Sequence, residues 1–313
     1  MKKISIIAPI YNEEDSIQIF YERISTVIKS LSNYEFELVF VNDGSADESA
    51  KEIQILIDQD KKVRYLEFSR NFGKEAALSA GLHSCSGDAA IMIDVDLQHP
   101  PELIPDFIKK WEAGAEIVVG IRKKTQETDL IKRAGSWLFY KIMSQISDTK
   151  IAPRATDFRL LDRIVINEFT KLTENNRITR GLIAWLGFKK EFIEFDAAKR
   201  AKGTARYSKS KLFHLAITSF ITQSLFPLKL AGYLGMIIML ASGLVGLHVL
   251  IYQYLLDIKT GLVFSGIAQL AILIIFLVGL ILSCLGLMAL YIANIQKEVM
   301  HRPLYVVRKK INF

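Results

Sequence analysis

Short β-branched runs alternate with amphipathic helical patterns through roughly the first 120 residues, and this alternation narrows the fold more than any other feature. Strands are expected near Ile4–Ala8, Leu38–Val41, Val63–Phe68, Ala89–Ile93 and Ile117–Val119. Helices are expected between them, near Ser16–Leu31, Asp47–Gln59, Lys74–Ser84 and Pro101–Ala113. Strands separated by a helix cross over rather than fold back as hairpins, so the pattern predicts an α/β domain on a mostly parallel, Rossmann-like sheet. Sheets of this kind bind ligands just beyond the carboxyl ends of their strands.

The unusual polar residues fall at those ends. After the first strand comes "PIYNEED", with Pro9, Tyr11, Asn12 and Glu13; after the second, "VNDGSADES", with Asp43 and Gly44; after the fourth, "DVDLQ". The spacing predicts three acidic loops converging on one rim. Asp94 and Asp96, with the Gln98 amide oxygen, form a set of hard oxygen ligands suited to Mg²⁺ or Mn²⁺. Two or three protein ligands leave room for phosphate oxygens, which is how Mg²⁺ commonly serves a nucleotide. An Asp-x-Asp pair also occurs in ordinary solvated turns, and here its place after an apolar strand favours the metal reading. Pro101 and Glu102 read as the first turn of the next helix. His99 reads as a turn residue before two prolines, and Lys74 either approaches a nucleotide or caps its helix. No G-x-G-x-x-G is present, and Gly73-Lys74-Glu75 lacks the rest of a P-loop, so hydride transfer and nucleotide hydrolysis lose support.

The chain then changes character. Leu230–Leu256 and Leu262–Gln296 contain no Asp, Glu, Lys or Arg, and each exceeds the roughly 20 apolar residues that cross a bilayer. Two transmembrane helices are therefore expected, at about 230–256 and 264–294; a pair of buried core helices is the alternative. Lys209, Lys211 and Lys229 precede the first run, and Lys297, Arg302, Arg308, Lys309 and Lys310 follow the second. The positive-inside rule then places the N-terminal domain and both termini in the cytoplasm, at a multi-pass inner membrane. Residues 129–147 and 207–227 look amphipathic, suited to a membrane interface or to packing on the soluble core. The expected division is a cytoplasmic α/β domain over 1–206, a juxtamembrane helix over 207–227, the two spans within 228–296, and a basic cytoplasmic tail over 297–313. Cys85 and Cys284 are the only cysteines, too few for a disulfide framework or a structural zinc site. The apolar run after Met1 is too short for a signal peptide.

"KRAKGTARYSKSK" carries Lys199, Arg200, Lys202, Arg206, Lys209 and Lys211 without an acid among them. Such a run suits anionic lipid, diphosphate or both, or serves as a solvated positive flank. "ATDFRLLDR" carries Asp157, Arg159 and Asp162; from residues alone, Asp157 reads as a strand-end carboxylate tied to Arg159 or Arg163.

Together these motifs resemble, in order and spacing over nearly the whole chain, the inverting GT-A glycosyltransferases that use a polyprenyl-phosphate acceptor, the group with dolichyl-phosphate mannose synthase and the bactoprenol glucosyltransferases. The resemblance implies that Pro9, Tyr11, Asn12, Glu13 and Asp43 hold the nucleoside. It implies that Asp94, Asp96 and Gln98 meet the nucleotide and its metal, that Arg122 contacts the diphosphate, and that Asp157 is the catalytic carboxylate. Arg200, Gly203 and Tyr207 match the family's R-x-x-G-x-S-K-Y form, with Ala205 in place of its serine and Arg206 in place of its lysine. Arg200, Arg206 and Lys209 are thereby implied for the diphosphate or the acceptor phosphate. The implied partners are a nucleotide-sugar donor, a polyprenyl-phosphate acceptor, the bilayer and possibly further copies of the chain, with no nucleic acid. Glucose from UDP-glucose is the expected sugar, with mannosyl and N-acetylglucosaminyl transfer as alternatives. A non-catalytic sugar-nucleotide-binding scaffold is the alternative of another class. A processive polysaccharide synthase is disfavoured because none of Trp111, Trp137 and Trp185 completes a Q-x-x-R-W motif.

Overall fold

The computed structural model describes residues 1–123, 155–174, 177–196 and 266–313. The chain divides into two compact units, Met1–Ser208 with His301–Phe313, and Lys209–Met300. In the first, eight strands form one sheet: β1 (Lys2–Ile10), β2 (Tyr34–Asn42), β3 (Val63–Phe68), β4 (Ala89–Met92), β5 (Ile117–Arg122), β6 (Ala155–Asp162), β7 (Lys190–Phe195) and β8 (Val307–Ile311). Their spatial order is β7-β5-β6-β4-β1-β2-β3-β8. Helices α1 (Glu14–Lys29), α2 (Ser49–Gln59), α3 (Lys74–Ser84) and α4 (Ile104–Glu112) connect the first five strands, with a 3₁₀ turn at Pro101–Leu103. Two short helices, α5 (Arg163–Lys171) and α6 (Thr179–Trp185), lie between β6 and β7.

Alternation along β1 builds both sides of the core. Ile4, Ile6 and Ala8 join Phe20 of α1, Phe40 of β2 and Phe107 of α4 on one face. Ile7 joins Val39, Leu78 of α3 and Phe169 of α5 on the other, as a period of two requires of a strand covered on both sides. Gly81 lets α3 lie directly on β1, since a Cβ there would stand 2.3 Å from the Ile7 side chain. The parallel block β4-β1-β2-β3 reverses its winding between β1 and β4, which puts the crevice for a ligand beside the loops that follow those strands.

Three expectations are corrected. The sheet is mixed rather than mostly parallel throughout, because β6 runs antiparallel between β4 and β5, and β8 antiparallel to β3. The basic tail is a strand at its end: Ile311 pairs with Tyr65, Lys309 with Glu67 and Val307 with Phe68, and the Tyr305 ring stacks on Phe68 at 5.0 Å. The two transmembrane helices, and the inner-membrane location that rested on them, are not sustained: among the described residues no helix is long and apolar enough to cross a membrane. The expected span at about 230–256 lies outside the described residues. The one at about 264–294 falls on helix α7 (Gly266–Val299) of the second unit. The amphipathic segments 129–147 and 207–227 also lie outside the described residues.

At the opposite end of the sheet from the crevice, Glu37 is buried among Ser5, Ser86, Lys3 and Arg64. Burial alone would raise its carboxyl, but hydrogen bonds from Lys3, Ser5 and Ser86 outweigh that and bring it to about 2 from an ordinary 4.5. A depressed acid stabilises the fold above its unfolded value and loses that contribution as pH falls toward its folded value. Glu37 is therefore expected to contribute about 3 kcal/mol at neutral pH. Urea unfolding of Glu37→Gln should show that deficit at pH 7 and a shrinking one between pH 4.5 and 2. A deficit independent of pH would contradict the assignment.

Candidate active site

The segment after β4 alternates like a strand although it is not one. Val95, Leu97 and His99 are buried, while Asp94, Asp96 and Gln98 are only partly covered. Leu97 has φ +61°, a left-handed conformation that non-glycine residues rarely adopt and that recurs at functional turns. Its buried side chain anchors the turn and leaves the two aspartates on the uncovered side. The Asp96 carboxylate accepts from the Gln98 backbone N–H at 3.1 Å, which fixes the return of the chain. His99 is not a surface turn residue. Its ring stacks on Phe158 at 5.4 Å, and its Nδ1 accepts from the Asp94 backbone N–H at 3.4 Å. Burial lowers its pKa from 6.5, so it is neutral at pH 7 and holds the Asp94 backbone without adding charge.

β6 brings Asp157 to the same place. Its antiparallel pairing sets Arg159 opposite Met92, so the start of β6 lies beside the end of β4. Lys74, at the start of α3, closes the group. Its Nζ stands 2.6 Å from Asp94 Oδ1, 2.8 Å from Oδ2 and 2.9 Å from Asp157 Oδ2. Arg180 of α6 approaches the other Asp157 oxygen at 3.6 Å. Asp157 is thus paired with Lys74 and Arg180 rather than with Arg159 or Arg163: Arg159 donates to the Thr156 carbonyl and Arg163 to the Gly87 carbonyl. Burial would raise the Asp157 carboxyl, but the cations of Lys74 and then Arg180 hold it well below the usual carboxylate range. Burial likewise opposes the charge on Lys74, and Asp94 with Asp157 outweighs it, so the ammonium keeps its proton more firmly than an ordinary lysine.

The other expected residues are distributed as follows. Pro9, partly covered, lies near the end of β1, and in the loop after it Asn12 and Glu13 are partly covered and Tyr11 is exposed. This loop is tied to the one after β2: Asn12 Oδ1 accepts from Ala46 N–H, and Glu13 N–H donates to Ser49 Oγ. Asp43 is not on the open rim. It is 2% exposed, and its carboxylate accepts from the backbone N–H groups of Phe72 and Gly73, so it fixes the approach to α3 and Lys74. Gly44 follows at φ +66°, against the Arg70 backbone, where a Cβ would stand 2.5 Å from the Arg70 carbonyl carbon. Gly44→Ala is expected to displace the 70–73 loop and to cost about 1–2 kcal/mol in stability by urea unfolding. A variant as stable as the parent would contradict this. Arg122, at the end of β5, donates to Gln98 Oε1 at 2.8 Å, and its Nε is buried without a hydrogen-bond partner among the described residues. Arg200, Arg206 and Lys209 lie outside the described residues.

Whether the donors suit a divalent cation turns on their chemistry. Asp94 and Asp96 are hard carboxylates on one uncovered side, as Mg²⁺ or Mn²⁺ requires, while the Gln98 oxygen is already engaged by Arg122. Among the described residues no group of three or more His, Cys, Asp and Glu side chains stands close enough to hold a metal unaided. A pair of carboxylates fits a cation that arrives with phosphate oxygens. Two carboxylates that meet cations, Asp94 and Asp157, are joined here by Lys74, with Arg180 beside Asp157 and Arg122 on Gln98. Lys74 was only partly legible from sequence and Arg180 not at all, since the ion pairs join residues far apart in the chain.

The chain is similar to proteins of known class. An uncharacterized glycosyltransferase of Synechocystis sp. is 38% identical over 97% of this chain and 94% of its own length. An SfII prophage-derived bactoprenol glucosyl transferase of Shigella flexneri is 38% identical over 98% of each. Among solved structures, glucosyl-3-phosphoglycerate synthase from Mycobacterium tuberculosis, in complex with Mn²⁺, UDP and phosphoglyceric acid, superposes with a TM-score of 0.50 at 18% identity, over 69% of this chain and 75% of that one. The likeness shows the fold, that of the GT-A glycosyltransferases. The pattern described as Glycosyl transferase family 2 matches residues 5–170, across the strands and loops that build the site, and the protein belongs to that family.

Proposed function

We propose that the protein transfers glucose from UDP-glucose to a polyprenyl phosphate, giving a β-linked lipid phosphoglucose and releasing UDP. The observation that carries this reading is the 38% identity, along 98% of both chains, to the bactoprenol glucosyl transferase of Shigella flexneri. The charge arrangement supports it: carboxylates for a cation and basic side chains for phosphates stand together at the crevice beside β1 and β4.

In this reading a phosphate oxygen of the acceptor attacks the anomeric carbon from the face opposite the leaving group, and the bond from that carbon to the diphosphate oxygen breaks. The acceptor phosphate has a second pKa near ~6 and is largely dianionic at neutral pH, so no base has to take a proton from it. Asp94 and Asp96 would hold Mg²⁺ or Mn²⁺, which would supply charge neutralisation at the departing diphosphate. Arg122 adds a fixed positive charge beside Gln98, and the cation-rich segment with Arg200, Arg206 and Lys209 is proposed for the phosphates. Tyr11, Asn12 and Glu13, with Pro9, are proposed to face the nucleoside, and Asp43 acts through the 70–73 loop. Asp157 is proposed to hold Lys74 and Arg180 in place during the reaction rather than to act as a base.

The test is to incubate the purified chain with polyprenyl phosphate and Mg²⁺ or Mn²⁺, supplying UDP-glucose, GDP-mannose or UDP-N-acetylglucosamine, and to identify the lipid product. A β-linked lipid phosphoglucose from UDP-glucose alone is expected. A different sugar on the lipid would correct the donor, and absence of any lipid product would sink the reading.

A further inference from the structure

We infer that Lys74 couples the metal to the sugar nucleotide, standing as a resident cation on Asp94 until a diphosphate draws it away. The inference rests on the proposed reading of the site as one for a metal and a nucleotide. Its starting point is that the Lys74 ammonium has three donors and three carboxylate oxygens within 3 Å, two on Asp94 and one on Asp157. A divalent ion seeking Asp94 therefore meets both oxygens already engaged by a like charge, and Asp96 alone is a weak ligand set for a hard cation.

The geometry also provides the way out. The Lys74 side chain is 40% exposed, and its stem is long and flexible. It stands in the first turn of α3, behind Gly73, whose φ of +102° leaves no side chain in front of the helix. An arriving diphosphate carries more negative charge than one carboxylate, so it offers the ammonium a stronger anion than Asp94. Lys74 then turns from Asp94 to the phosphate while Asp157 keeps hold of its charge, and Asp94 is released to the metal. Metal alone and nucleotide alone each bind against an existing ion pair, whereas together they exchange it. Each should strengthen the other by the same factor, because coupling between two ligands is reciprocal.

The experiment measures Mn²⁺ binding by electron paramagnetic resonance of the free ion, with and without UDP, on the full chain. The parent is expected to bind Mn²⁺ roughly tenfold or more tightly with saturating UDP than without it. Lys74→Met removes the cation from both Asp94 oxygens, so Mn²⁺ alone should bind roughly tenfold tighter than to the parent, UDP alone should bind more weakly, and the coupling should shrink. Lys74→Arg keeps the charge and should keep Mn²⁺ binding weak in the absence of UDP. Melting curves establish that both variants are folded. If folded Lys74→Met binds Mn²⁺ alone no tighter than the parent, or Lys74→Arg matches Lys74→Met, the coupling role is overturned. If the parent binds no Mn²⁺ even with UDP, the metal–nucleotide reading falls, a result distinct from a parent that binds both ligands without a contribution from Lys74.

Discussion

Asp157→Asn is expected to lower the rate of lipid phosphoglucose formation by roughly 10²- to 10³-fold, the usual loss when one preorganised electrostatic group is removed from an active site. The reason lies in what the carboxylate holds. Its two oxygens take Lys74 at 2.9 Å and Arg180 at 3.6 Å, so the neutral amide releases two cations at once. The expected loss falls on kcat, with the Kd of UDP changed much less, because the residues proposed to face the nucleoside lie at the end of β1 and on the loop after it. A general base would leave a different signature. The Lys74 and Arg180 charges hold Asp157 well below the usual carboxylate range, so it stays ionised throughout the working pH range and has almost no affinity for a proton. The pH–rate profiles of parent and Asp157→Asn should therefore have the same shape between pH 6 and 8, displaced by a constant factor. An acidic limb present in the parent and absent from the variant would reinstate Asp157 as the base.

The same residues show what the sequence makes legible. Strand β3 and helix α3 fall where the periodicity places them, at Val63–Phe68 and Lys74–Ser84, because short apolar runs bounded by turn residues have little choice of partner. The loop carrying Asp94 and Asp96 was legible for the same reason: its place follows from β4. Its partners were not. The Lys74–Asp94 and Lys74–Asp157 pairs join elements that only the sheet order brings together, and no local pattern encodes the insertion of β6 between β4 and β5. The contacts of Asp43 were not legible either. Its "DGS" turn is where it was expected, but its carboxylate turns inward to the 70–73 backbone. Glu37 has no motif at all, and its burial is visible only when Ser5, Ser86, Lys3 and Arg64 converge on it.

Ending the chain at Met300 is expected to cost about 4–6 kcal/mol, a large share of the 5–15 kcal/mol that holds a typical domain together. A solvated basic tail would cost nearly nothing, since changes at such surfaces usually stay within about 0.5 kcal/mol. "VRKKI" hides its role because three consecutive basic residues leave no apolar alternation to read, and β8 lies at the sheet edge where charge is favoured. Truncation removes the whole β3–β8 ladder, the bond from Ser69 N–H to the Val306 carbonyl, and the Asn312 amide bond to the Val63 carbonyl. It also removes Leu304 and Tyr305 from the core face they cover, each worth about 1.5–3 kcal/mol if fully buried, and leaves Phe68 without its stacked ring. The unpaired β3 edge would then invite association between chains. Replacing Arg308, Lys309 and Lys310 by glutamine keeps the strand and removes only its charge, so that variant should melt within a few degrees of the parent. If instead the glutamine variant is as unstable as the truncation, charge rather than pairing is what the tail contributes. If the truncated chain melts like the parent, β8 is dispensable to the sheet it completes.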